Sequence, residues 1–277
     1  MTQTDQTERT QQVAGAQHPE TENKGRSDLG PVGNAVNDRV EDLLEGYLAD
    51  RSDAVAALAQ LRGGAGKTFG ECPQLWGLTV DAHQYTHPGW NRRQQDWAEE
   101  AVHAAITLFA LHQQSLRGTS SGNDGQDPSE KDHQDTDRPA RRGRHDNRMH
   151  RRAGYLDGDR GRLPHHGLGW AVRACMPDGR IDPALHNRLK KAAQASALRT
   201  RVGELRQIVA RLRQERIPLD YGLLADQLFR AQEPGGIKQV RDEWGHGFVS
   251  YRPPRNNDSA AEATSDDATT TPEKEHQ

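Results

Sequence analysis

Arg199, Arg206 and Arg213 stand seven residues apart within ALRTRVGELRQIVARLRQERIPLDYGLLADQL, residues 197–228. On an α-helix a seven-residue step returns to nearly the same face, drifting by ~20°. The three guanidiniums then form a row ~21 Å long at 1.5 Å per residue, a length suited to a phosphate backbone. A solvated helix face produces the same pattern, so the row alone leaves both readings open. RGGAGKT, residues 62–68, invites a phosphate-loop reading. A Walker A motif needs a glycine where Leu61 stands and must follow a strand, whereas this segment ends an apparent helix. Arg62 and Lys67 around the glycines still fit phosphate contacts through charge and bare amides, or a plain surface turn.

The remaining candidates for chemistry are weaker. His103 and His112 are nine residues apart, which puts them on opposite helix faces, so they are expected as surface histidines and not as joint metal ligands. His145, Asp146 and His150 have no standard ligand spacing, and Asp157, Asp159 and Gly161 lack the calcium-loop pattern. His165 and His166 read as a solvated helix start. Cys72 and Cys175 form neither a disulfide framework nor a CxxC zinc pair, and are expected as buried or inert thiols. Asp220 and Asp226 read as a helix cap and a helix-surface acid. No catalytic, cofactor or metal site is expected.

The elements that must position the arginines are helical. Leu198, Val202, Leu205, Val209 and Leu212 give the central helix its apolar face. Earlier helices are predicted from Val36 to Leu48, from an Asp53 cap through Leu61 to Gly63–Gly64, and from Asp96 to Gln114, with Trp76 as a core anchor. Later ones carry Leu168–Cys175, with Arg173 on another side, then Leu185, Leu189 and Ala192 behind Asp182–Pro183. Arg188, Lys190 and Lys191 decorate that second helix. Ser196 is expected to cap the central helix, and Asp220 the next, which buries Leu223, Leu224, Leu228 and Phe229. Beyond Pro234-Gly235-Gly236 a last helix presents Ile237, Val240, Trp244 and Phe248. No strand is predicted. The fold class is all-α: two small helical bundles, residues 34–116 and 163–251, with a disordered insertion at 117–162 and disordered acidic tails at 1–33 and 252–277.

Composition agrees with that division. Only 32% of the 277 residues are hydrophobic and 5% aromatic, and mean hydropathy is −0.99, too polar for a packed core throughout. No apolar run approaches the ~18 residues of a membrane span, and the first residues lack a secretory signal, which predicts a soluble cytoplasmic protein. The net charge of −3 averages over segregated signs. Residues 160–217 hold thirteen basic and four acidic side chains, whereas residues 1–50 hold four and ten. A basic middle between acidic ends is the footprint of a nucleic-acid surface. The basic segment 138–152 fits either nonspecific nucleic-acid binding or a solvated linker. Few aromatics leave little for base stacking.

LAQLRGGAGK (Leu58–Lys67), TLFALHQQ (Thr107–Gln114), GLGWAV (Gly167–Val172), NRLKKA (Asn187–Ala192), the run Leu205–Leu228 and VRDEWGHGF (Val240–Phe248) occur in this order. Together they resemble the CasB family, the small subunit of the type I-E CRISPR Cascade complex. The likeness covers nearly all of both predicted bundles and neither tails nor insertion. It implies an all-helical, non-catalytic subunit without cofactor. Its implied partners are the other Cascade subunits, a second copy of itself in a head-to-tail pair, the crRNA, and the target and non-target DNA strands. Arg62, Lys67, Arg188 and Arg206 match basic places in that family, and Arg199 and Arg213 extend the row. Arg173 and Lys191 complete the candidate nucleic-acid-binding set. Val55 and Gly63 stand where many relatives carry arginine. A protein–protein scaffold without nucleic-acid contact is the competing expectation. A helix-turn-helix repressor is disfavoured for want of a recognition helix.

Overall fold

The computed structural model describes residues 28–114, 148–152, 166–176 and 180–251. Most of the predicted insertion and tails lies outside these residues, as do His145, Asp146, Asp157, Asp159, Gly161 and His165. Eight helices form in chain order: α1 (Pro31–Leu48), α2 (Ser52–Arg62), α3 (Arg92–His112), α4 (Leu168–Ala174), α5 (Pro183–Gln194), α6 (Leu198–Gln214), α7 (Tyr221–Arg230) and α8 (Gly236–Val249). Three single 3-10 turns lie between α2 and α3. Among the described residues there is no strand, only an isolated parallel bridge between His150 and Leu219. The architecture is all-α, as the periodicity predicts.

Local chemistry starts most of these helices. Asn91 and Gln94 exchange backbone hydrogen bonds in a capping box that begins α3 four residues before the predicted Asp96. Asp182 accepts from the amides of Ala184 and Leu185, and Asp220 from that of Leu223 at 2.8 Å, both as predicted. Ser196 and Asp53 are not caps: α6 begins after Ala197 and α2 after Arg51, neither with a side-chain cap.

The helices gather into two groups, but not as the chain order suggests. α1, α2, α3 and α7 pack together, α4, α5, α6 and α8 do likewise, and α3 lies against α6 between them. α7 thus leaves the predicted 163–251 bundle to complete the other one. The cause is its composition: Tyr221, Leu223, Leu224, Ala225, Gln227 and Leu228 are all buried, and a helix covered on nearly every side has to sit inside a bundle.

Asp226 locks this crossing. Its carboxylate accepts from the amides of Gly30 at 2.7 Å and Gly33 at 2.6 Å, supplying the side-chain cap that α1 lacks from its own N-cap residue, Gly30. Burial pushes its pKa up, although the two amides oppose that shift. Asp226 is therefore a cap for a distant helix and not a surface acid. Because α1 starts at Pro31, with Val32 fully buried, residues 31–33 belong to the folded part and not to a tail.

Part of the predicted insertion is folded too. Met149 and His150 are buried. The Leu219 amide donates to the Met149 carbonyl at 3.0 Å, and the Met149 amide to Gln113 Oε1 at 3.0 Å. The Tyr221 amide donates to His150 Nδ1 at 3.2 Å, which leaves Nε2 to donate to Asn37 Oδ1 at 3.2 Å. His103 and His112, expected on the surface, are 1% and 0% exposed. They do face opposite ways, but α3 is covered on both sides, by Phe69 at His103 and by Tyr221 at His112.

Two predictions follow from the buried ionisable groups. Burial pulls His112 down to about 3 and His150 to about 4. An unfolded imidazole binds its proton near pH 6.5, so below that pH the unfolded state holds more protons than the native one. Stability is expected to fall as pH drops from about 6.5 towards 4, by roughly a kcal/mol per pH unit for each histidine. Thermal melts across that range should show the slope, and His150→Gln should flatten it. Arg201 is 1% exposed and donates to the carbonyls of Ala192 and Ala195 at the C-terminal end of α5. A cation there is favoured by the helix dipole and has no carboxylate to replace it. Arg201→Ala should destabilise the protein by about 2–3 kcal/mol in urea titrations, with Arg201→Lys in between.

Candidate nucleic-acid interface

The central helix cannot turn about its axis. Leu205, Ile208, Val209 and Leu212 are all completely buried, so the direction of its arginine row is fixed. α3 and α6 run side by side in the same sense. Near one end, Glu100 and Ala104 line a cleft of about 220 Å³ with Leu198, Arg199 and Val202. At the other end, Arg213 donates to Oε1 of Gln114, just past α3, at 2.9 Å.

Along this seam the row meets the connection between α2 and α3. Arg199 Nη1 lies 3.2 Å from Glu71 Oε1. The stem of Arg206 would stand 3.4 Å from a Cβ placed at Gly66. Lys67, exposed on the same connection, lines the cleft with Arg199. Arg62 opens the connection at the C-terminal end of α2, where a cation suits the helix dipole. The fold therefore brings Lys67, Arg199, Arg206 and Arg213 to one seam, with Arg62 at the start of the adjoining loop. Among the described residues, Lys67 and Arg206 have no side-chain hydrogen bond or ion pair.

The glycines of RGGAGKT serve packing. A Cβ at Gly64 would lie 2.6 Å from Leu75 Cδ1 and 2.9 Å from Thr107 Cγ2, and Gly66 has φ +89°. The amides are not bare: those of Gly63, Gly64, Ala65 and Lys67 donate to the carbonyls of Gln60, Leu61, Arg62 and Gly64. Any phosphate contact here falls to the Arg62 and Lys67 side chains, not to a backbone cradle.

The other three candidates stand elsewhere. Arg188 pairs with Glu204 at 3.2 Å, and Glu204 lies roughly 160° around α6 from the arginine row at 100° per residue. Lys191 is exposed on the same helix as Arg188. Arg173 donates to the Met176 carbonyl and lies 5.8 Å over the Tyr251 ring.

Two acidic residues of the site, Glu71 and Glu100, lie outside the set that the helical pattern marks. Glu71 was unmarked, yet it closes a capping box with Thr68 and pairs with Arg199. The Thr68 amide, then its hydroxyl, then Arg199 hold its carboxyl below the usual range. A Thr-x-x-Glu reading of residues 68–71 could have found the box. Trp76, predicted as a core anchor, is 51% exposed, and Leu75 beside it is buried instead at 1%. Glu100 lines the cleft half-buried, and burial raises its pKa against the opposing Phe69 amide. Both cysteines are free and buried; burial pushes the Cys175 thiol up to about 12. Among the described residues no group of three or more His, Cys, Asp or Glu is placed to hold a metal. No described helix is long and apolar enough to cross a membrane.

These features define an all-helical protein with a one-sided cationic seam between two packed bundles. The family described as CRISPR-associated protein Cse2 matches residues 57–248. The crystal structure of CasB from Thermobifida fusca is similar with a TM-score of 0.59 and 38% identity, covering 80% of this chain and 99% of that one. The chain belongs to the Cse2 (CasB) family. A chain of a CRISPR RNA-guided surveillance complex is also similar, at TM-score 0.45 and 16% identity, over 79% of this chain and 95% of that one. No curated protein matches.

Glu71 shields Arg199 in the free protein. Glu71→Gln keeps an oxygen for the Thr68 amide, since glutamine also serves in a capping box, and removes the negative charge. Single-stranded oligonucleotides should bind about 2–5-fold tighter, and the slope of log K against log salt should steepen by about 0.7, as for one more neutralised phosphate. Fluorescence-anisotropy titrations between 50 and 300 mM salt (about this range) measure both.

Proposed function

We propose that this chain is the small, non-catalytic subunit of a crRNA-guided type I-E Cascade complex in antiviral defence. In that role it holds nucleic-acid backbone without reading sequence, steadying the guide RNA with the target strand and the displaced strand of the R-loop. The observation that carries this is the seam on which Lys67, Arg199, Arg206 and Arg213 converge. Cations gathered along one helix seam suit phosphates, which position a strand but carry no sequence information. Sequence choice is then left to guide pairing. Family membership supports the complex, and with it the other Cascade subunits, the crRNA, both DNA strands and a second copy as partners, in the cytoplasm. Arg188, Lys191 and Arg173 belong to a separate surface in this reading, since Arg188 is already paired with Glu204.

Arg206→Glu combined with Arg213→Glu should weaken binding to single strands of unrelated sequence alike, about ten-fold or more at low salt. It should also flatten the salt slope by about 1.4, two phosphates' worth. Gel shifts with several sequences test this, alongside a melt showing that the variant is folded. A loss confined to particular sequences would contradict backbone binding, and no binding by the unaltered chain at low salt would favour the scaffold role.

A further inference from the structure

We propose that Trp76 is a stacking step for one unpaired nucleobase, placed beside the cationic seam. This deepens the backbone-binding reading and rests on it. Trp76 is 51% exposed, although a tryptophan ordinarily gains much by burial. It is nevertheless held in place. Phe69 stacks on one face with centroids 5.5 Å apart and planes at 19°, so the exposure belongs to the other face and the edges. The indole Nε1–H donates to the Phe69 carbonyl at 3.2 Å. Phe69 is itself fixed, by His103 edge-on at 5.9 Å and by its amide donating to Glu100 at 3.1 Å. The open indole face therefore needs little ordering when a flat partner arrives.

Charge around the step selects that partner. Phe69 lies two residues from Lys67, and its amide partner Glu100 shares the cleft with Lys67 and Arg199. Glu71, in the same turn, is neutralised by Arg199. A ligand with a flat π-face and an adjoining anion matches both features, which describes a nucleotide of a single strand. A base inside a duplex is already stacked and cannot occupy the step. Base–aromatic stacking tolerates any base, so the step adds affinity for unpaired strands without adding sequence preference.

The test uses the full chain with a single-stranded oligothymidine, the same strand carrying abasic positions, and a duplex of equal length. Trp76→Ala should bind the single strand about ten-fold more weakly, the size of one base–aromatic stack, with salt slope and duplex affinity unchanged. Trp76→Phe should keep most of the affinity and Trp76→Leu should not, although leucine preserves apolar bulk. The abasic strand should bind the unaltered chain as weakly as the intact strand binds Trp76→Ala. Equal affinity of Trp76→Ala and the unaltered chain for the single strand overturns the proposal. So does an equal loss on duplex and abasic strand, or intact strand binding combined with failure to join partner subunits, which makes Trp76 a protein contact. If Trp76→Ala is harmless while Arg206→Glu weakens binding, only the stacking step falls. If the unaltered chain binds no strand at low salt, the backbone reading falls with it.

Discussion

The apolar seam of α6 is the constraint from which the cationic surface follows. Four of its side chains are excluded from water altogether, and each fully buried aliphatic group favours that state by about 1.5–3 kcal/mol. Rotating the helix by even one position would expose part of this set and bury arginine in its place. The heptad row is thus aimed at α3 and the α2–α3 connection by hydrophobic burial, and the Arg199–Glu71 pair forms where the row meets that connection. Arg206 shows this most plainly, since its stem rests by a glycine and its head is exposed.

Buried charge is handled differently. Arg201 and Asp226 both lie within the fold, and neither is paired with an opposite charge in direct contact among the described residues. Arg201 takes the carbonyls that end α5, and Asp226 takes the amides that begin α1. Each borrows a helix terminus, which carries about half a unit charge of the required sign. A helix end that would otherwise lack partners is satisfied in the same step. The tie from Arg201 is short in sequence, joining α6 to the end of α5, whereas that from Asp226 joins segments almost two hundred residues apart in the chain. It locks α7 onto α1 although α7 follows α6 in the chain.

Legibility in the sequence followed the reach of each signal. Helices with a repeating apolar face, such as α6, and caps two or three residues from their targets, such as Asp182 and Asp220, could be read because their cause is local. Trp76 and the histidines of α3 were misplaced because burial depends on what covers a residue. Trp76 sits in a loop without periodicity, where Leu75 turns inward and the indole stays out. His103 and His112 do occupy opposite faces, but both faces of α3 are covered. Met149 and His150 gave no warning, since their segment is polar and their partners, Gln113, Leu219 and Tyr221, are distant in sequence.

The sequence alone determined the helical class, the heptad row on α6, the segregation of charge and the family likeness, since each arises from neighbours along one turn or one segment. Only the tertiary structure decided which cations share a surface. Lys67 reaches the row because glycines let its loop close against α3. Arg188 is turned away because α5 packs on the far side of α6 and meets Glu204 there. The angle between two helices is set by the packing of side chains from both, and no pattern within either one contains it.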